Sequence, residues 1–331
     1  MKNLFLTISL VLSFSVSAST ENISALKTPP SAIASMNEQE LNEFGLATAR
    51  QAYAILSKVG SPTGQIGGTL NQADKNSVNN AKTLLDDNAL IQRSSLNYGL
   101  TKETYIPTDV DTFQIDRLKT TRAAGDALVM TYNVSLPNRV DLKTGAVMSG
   151  KSMPRITVIR WNNKQKQWLV FSHADFDTPE AILCGDESLR MAPKKSQFEE
   201  ADIALGKQTL DDFVQSHLQV GKPKRGKGYQ SIFASGERFA GGERNTPISL
   251  KVKVEPKNVE AIRSDRLLAI RFDLPNALTV GGEAVAQNYS PRLQTWQLSQ
   301  DGRWELIAAA IFGVTAKVAE GIKCVPQTQP K

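Results

Sequence analysis

The sequence predicts an α+β fold of two tandem domains, each with N-terminal helices packed on an antiparallel β-sheet. Three observations predict it. Hydrophobic spacing runs helix, strands, helix, strands along the chain, the order of two α+β units in series. The length of 331 residues exceeds the ~100–200 of one domain. Two Trp-bearing hairpins recur, Pro154 to Phe176 and Pro291 to Phe312.

Residues 1–18, MKNLFLTISLVLSFSVSA, place Lys2 before an apolar run from Leu4 to Val16 and end on Val16-Ser17-Ala18. This is the pattern of a secretory signal peptide. The alternative is a membrane anchor, but the run is shorter than the ~20 residues that span a bilayer. No Cys follows it to accept a lipid. No later stretch approaches 18 uncharged apolar residues, so the expected mature protein is soluble and not integral to a membrane. Periplasm is the first expectation for its location and the extracellular space the second. Cleavage removes Lys2 and takes the formal charge from +6 (39 basic, 33 acidic) to +5.

Residues 19–36 are Ser-, Ala- and Pro-rich and are expected to form a flexible lead-in. The first domain is placed at 37–183. Asn37 can cap a helix to about Lys58, with Glu38 and Glu40 in its first turn and Leu41, Phe44, Ala52 and Ile55 on one face. Residues 60–80 read as loop, with a short helix before Leu84, and strands dominate from Leu90 to Phe176. A linker spans 184–196. The second domain, 197–320, opens on a helix over Phe198–Val220 and continues in strands to about Val314; 321–331 is a C-terminal tail.

The two hairpins agree in detail. Both begin Pro-Arg, both carry a Trp in the first strand (Trp161, Trp296) and another opening the second (Trp168, Trp304), and both end on a Phe at the same distance from that second Trp. Asp301-Gly302 is a strong hairpin turn. Upstream, Gly125 to Pro137 matches Ser264 to Pro275. These features mark an internal repeat at an offset near 135–140. A residue type kept by both copies serves packing, so the four Trp are assigned to the core.

A helical start, a short strand near LLDDNALIQRS, then TKETYI and long antiparallel strands ending in the Trp-bearing hairpin resemble the nuclear transport factor 2-like superfamily, with its SnoaL-like and ketosteroid-isomerase-like members. The resemblance covers roughly 38–180 and, in a more divergent copy, 197–318. It implies cone-like domains, each a curved sheet wrapped around helices with an internal pocket. It implies no single function, since such proteins include isomerases, cyclases, dehydratases and plain binders.

Hydrophobic residues at 40% and charged residues at 22% exclude collagen-like and disordered chains. The thin basic excess lacks the concentrated face of a nucleic-acid binder. Two His and two Cys cannot build a rich metal centre, and no cofactor or metal motif is present. Export favours oxidation, so the expectation is a disulfide between Cys184 and Cys324, which follow the first and second units; two unpaired thiols are the alternative.

The best polar pair is His173 and Asp175, two residues apart on one strand face. Alternation sets them with Leu169 and Phe171, opposite Trp168, Val170, Ser172, Ala174 and Phe176. A carboxylate there would orient the imidazole and raise its basicity. The second copy has Ala309 and Ile311 at these positions, so the pair is confined to the first unit. Tyr132 is a further pocket candidate. His217, with Asp211 and Asp212, reads as a solvated helix face. Gly221 to Tyr229 imitates a phosphate loop but lacks the hydroxyl residue and follows a helix where a strand is required. Lys222, Lys224, Arg225 and Lys227 there form a basic linker.

The expected function is a non-catalytic ligand-binding or protein-interaction module of the cell envelope, with an unidentified small molecule or envelope protein as partner. The alternatives are a cofactor-independent isomerase, cyclase or hydrolase using His173 and Asp175, and an envelope scaffolding protein.

Overall fold

The computed structural model describes residues 23–59, 75–94, 96–105, 107–110, 112–123, 126–140, 147–184, 196–218, 225–240, 255–275, 279–280, 283–284, 286 and 289–324. The signal segment 1–18, most of the 60–80 loop, Lys222, Lys224 and most of the 184–196 linker and the tail lie outside them.

The chain enters through two short helices, α1 (Ile23–Leu26) and α2 (Pro30–Ala34). Leu26 and Ile33 are buried in the first core, so this lead-in packs where the sequence predicted a flexible segment. Its Ser/Ala/Pro composition hid two apolar anchors. Helix α3 (Glu38–Leu56) starts on a full capping box, Asn37 accepting from Glu40 N–H and Glu40 accepting from Asn37 N–H. Strand β1 (Ser57–Val59) and helix α4 (Lys75–Leu84) follow. Then come β2 (Leu85–Arg93), β3 (Thr108–Val110), β4 (Gln114–Arg122), β5 (Ala127–Leu136) and the small hairpin β6 (Arg139–Val140) and β7 (Val147–Met148). The long hairpin β8 (Lys151–Asn162) and β9 (Gln167–Asp175) and helix α5 (Pro179–Cys184) complete the first unit.

The second unit begins with α6 (Glu200–Leu218). It continues through β10 (Arg225–Phe233), β11 (Arg238–Ala240), β12 (Lys257–Ser264) and β13 (Leu267–Pro275). After the two-residue strands β14 (Thr279–Val280) and β15 (Glu283–Ala284) come β16 (Tyr289–Leu298), β17 (Trp304–Ile311) and helix α7 (Ala316–Glu320).

The main sheets run β2-β9-β8-β5-β4 and β11-β10-β17-β16-β13-β12. In each, the first long strand lies parallel to the last (β2 with β9, β10 with β17) and the rest form an antiparallel meander. This is the predicted α+β architecture of two cone-like domains. Each long helix lies close against an edge strand at a glycine. A Cβ on Gly45 of α3 would strike Thr120 of β4, and one on Gly206 of α6 would come within 2.8 Å of the Ala261 Cβ of β12.

The sheets pack face to face over one shared apolar layer, with Val129, Val158, Phe171 and Ala174 meeting Ala269, Leu293, Ala308 and Ala310. Phe176 stacks on Phe312 with centroids 4.2 Å apart. Buried polar groups cross the seam in pairs. Ser172 bonds Thr295 (2.6 Å), Gln230 bonds Thr131 (2.6 Å) and the Val129 carbonyl (2.8 Å), and Arg271 donates to Gln92 (3.0 Å). The Cys184–Cys324 disulfide closes the seam beside α5 and α7, its Cα atoms 5.2 Å apart.

Candidate functional site

Strand β9 holds the predicted His/Asp pair, and a β-bulge decides where that pair points. Val158 of β8 faces Ser172 and Ile159 faces Val170, so Phe171 is the extra residue. The bulge reverses the alternation. Trp168 and Val170 face the first core, while Phe171, Ala174 and Phe176 face the seam. His173 and Asp175 therefore lie on the side of Trp168, inside the cone, and not with Phe171 as simple alternation predicted.

The two side chains take separate partners. Asp175 accepts from Arg155 Nη2 at 2.5 Å, with Arg93 Nε at 3.6 Å. Arg155 also donates to the Pro154 and Phe176 carbonyls (2.7 and 2.6 Å) and faces the Tyr53 ring at 5.8 Å. Arg93 lies over the Tyr105 ring at 5.0 Å. His173 Nδ1 shares a 2.8 Å hydrogen bond with Thr157 Oγ1, which is 3.0 Å from the Tyr132 hydroxyl. Tyr132 is wholly buried, so the pocket candidate is a core residue of this network.

These contacts set the charges. Burial pushes the His173 imidazole down to about 4, against the pull of Asp175 and with the help of Arg155 and Arg93. The expected rise in basicity is thus reversed: desolvation and two guanidinium charges outweigh one carboxylate. Burial pushes Asp175 up, but Arg155, Arg93 and His173 outweigh it and hold the carboxyl below its ordinary range. Burial raises the Tyr53 hydroxyl, Tyr105 to about 12, and Tyr132 further. At neutral pH the network is one carboxylate clamped by arginine beside a neutral imidazole.

The second unit repeats the frame with other residues. Arg155 follows Pro154 and stands opposite Asp175; Arg292 follows Pro291 and stands opposite Ile311. Thr157 stands opposite His173, and Gln294 opposite Ala309. Arg292 is nine-tenths buried, and burial lowers its guanidinium to about 10. Sequence reasoning noted the shared Pro-Arg but weighed only the Trp. The signal in the sequence is the Pro-Arg that both hairpins share.

Other sequence candidates fall elsewhere. Trp161, Trp168 and Trp296 are buried, and Trp304 is half-buried under Arg263. Arg225 stacks over Tyr229 at 4.8 Å, and Lys227 is exposed. Asp211 and Asp212 are exposed on α6, while the side chain of His217 lies outside the described residues. A cavity of about 590 Å³ lies on the seam among Asp87, Arg160, Trp161, Asp202 and Asp265, and one of about 600 Å³ between α3 and β4. Neither is lined by His173 or Asp175. Among the described residues no cluster of His, Cys, Asp and Glu is built to hold a metal, and no helix is long and apolar enough to cross a membrane.

No protein-family model matches the chain, and no curated protein matches it. Solved structures similar to parts of it include a putative ketosteroid isomerase from Parabacteroides distasonis (16% identity, 42% of this chain and 89% of that one, TM-score 0.27). Another is the association domain of C. elegans CaMKII (10%, 41% and 95%, TM-score 0.30). A nuclear transport factor 2-like protein from Cytophaga hutchinsonii aligns at 18% identity over 35% of this chain and 100% of its own, TM-score 0.27.

Proposed function

We propose that this chain is an exported, non-catalytic ligand-binding module made of two tandem copies of one α+β unit. The observation that carries the non-catalytic reading is the closure of the His/Asp site. A general acid or base needs a proton that exchanges near the working pH and a route to substrate. Asp175 is held as an anion by Arg155, and His173 is buried, neutral and tied through Thr157 to Tyr132.

Tandem origin is supported by the shared strand order, by Gly45 and Gly206 at matching helix–strand contacts, and by the meeting of Phe176 with Phe312. Export is supported by the pattern of residues 1–18 and by the disulfide. Gln230, Ser172 and Arg271 tie the two units together across the seam, which supports a preformed binding site.

Native mass spectrometry of the protein isolated from its own cell envelope tests this. A retained small molecule at one per chain is the expected result. A bare chain, together with turnover lost on His173→Gln, would replace the binding reading with the enzymatic one.

A further inference from the structure

Along one face of β16, Ser290, Arg292, Gln294 and Trp296 stand at alternate positions. Their cross-strand neighbours on β13 are Leu274, Phe272, Ile270 and Leu268, all in the apolar core beneath α6. The four residues are 1%, 9%, 5% and 3% exposed. Among the described residues each has a buried polar atom with no hydrogen-bond partner: Ser290 Oγ, Arg292 Nε, Gln294 Oε1 and Trp296 Nε1. Buried polar atoms are nearly always paired, so four in one row point to a missing partner. Among the described residues none makes an ion pair with Arg292.

The first unit shows what is missing. There the equivalent arginine, Arg155, is neutralised by Asp175. In the second unit Ile311 takes that place, and Ala309 takes the place of the His173 ring. Phe272 stands where Tyr132 stood, so a hydroxyl is lost as well. The arginine is kept, its counter-ion is gone, and a ring beside it has been cut back to a methyl group.

We propose that this face of the second sheet binds a small carboxylic acid, whose carboxylate takes at Arg292 the place that Asp175 takes at Arg155. A guanidinium binds carboxylate through parallel N–H donors. The indole N–H of Trp296 and the hydroxyl of Ser290 are further donors on the same face. Gln294 Oε1 is an acceptor, so the acid also carries a hydroxyl or N–H. Phe213, which meets Trp296 edge-on at 5.6 Å, and Phe272 supply the surface for an apolar body. This site rests on the binding-module reading and names its ligand class.

The probe is 3-phenyllactate, an acid with a hydroxyl and an apolar ring, with its neutral amide as control, titrated into the full mature chain at pH 7. The expected result is saturable binding of the acid and a raised Tm. The amide binds at least about tenfold more weakly, since it lacks the charge. Arg292→Met abolishes the response, and Ile311→Asp, which restores the internal counter-ion of the first unit, does the same. Without ligand, Arg292→Met melts above the wild type, because an unpaired buried charge is gone, whereas Arg155→Met melts below it. Should Ile311→Asp fail to fold, Arg292→Met decides alone. The proposal is overturned if the wild type ignores the acid, if Arg292→Met binds it equally, or if Arg292→Met is destabilised like Arg155→Met. A non-acidic molecule retained by a chain indifferent to phenyllactate removes this site and leaves the binding reading. A bare chain with the same indifference removes both.

Discussion

Replacing Asp175 by Asn keeps the side chain's volume and deletes its charge, which isolates the ion pair inside the first cone. Arg155 is only 3% exposed and has its closest anion in Asp175 at 2.5 Å. Breaking a buried pair from one side typically costs 3–5 kcal/mol, because the surviving charge stays desolvated. Arg155 keeps two carbonyl acceptors, Pro154 and Phe176, which sets the loss at the low end, about 3 kcal/mol. At roughly 2–4 °C per kcal/mol for a domain of this size, Tm falls by about 6–12 °C. Urea denaturation monitored by Trp fluorescence and calorimetry both read this. Adding Arg155→Met removes the stranded charge, so the double variant is more stable than Asp175→Asn alone. An Asp175→Asn variant within about 1 kcal/mol of wild type, or a double variant losing the sum of both single losses, would refute the clamped-carboxylate account.

Three further outcomes follow from the same structure. The folded His173 titrates near 4 against an ordinary 6.5, so the unfolded chain takes up its proton first. Its contribution is fully present above pH 6.5 and is lost as pH falls toward 4, about 3 kcal/mol in all. His173→Gln should flatten the fall in the urea midpoint between pH 7 and pH 4.5, and an unchanged slope would disprove the assignment. The disulfide closes a sequence separation of 140 residues, for which loop entropy gives up to about 5 kcal/mol. Paired Cys184→Ser and Cys324→Ser changes should lower the urea midpoint, and an unmoved midpoint would show the seam holding without it. Since Gln230, Ser172 and Arg271 all bond across the seam, calorimetry should show one transition for both units; two resolved peaks would show that they unfold separately.

Much of the fold was legible because local rules governed it. Asn37 capped its helix, Asp301-Gly302 turned its hairpin with Gly302 at φ +78°, and the Trp-bearing strands paired as antiparallel hairpins. The candidate site was less legible. One extra residue, Phe171, reverses which face of β9 looks inward, and bulges leave no short sequence mark. The partners of Asp175 arrive from β2 and β8, and which arginine reaches a carboxylate across a sheet depends on register. The lead-in failed for a different reason: Leu26 and Ile33 are isolated large apolar residues in a Ser-, Ala- and Pro-rich stretch, buried only once the core exists to receive them.

The similar strand order of the two sheets sets two arginines side by side for comparison. Among the described residues Arg155 meets an acid and Arg292 does not, although both follow a proline on the inner hairpin strand.

Native mass spectrometry of wild type, His173→Gln and Arg292→Met chains, each isolated from the native host, tests most directly whether Arg292 holds an acidic ligand. The account predicts one acidic small molecule retained by the wild type and by His173→Gln, and lost from Arg292→Met. Retention by Arg292→Met with loss from His173→Gln would place binding in the first cone and contradict it.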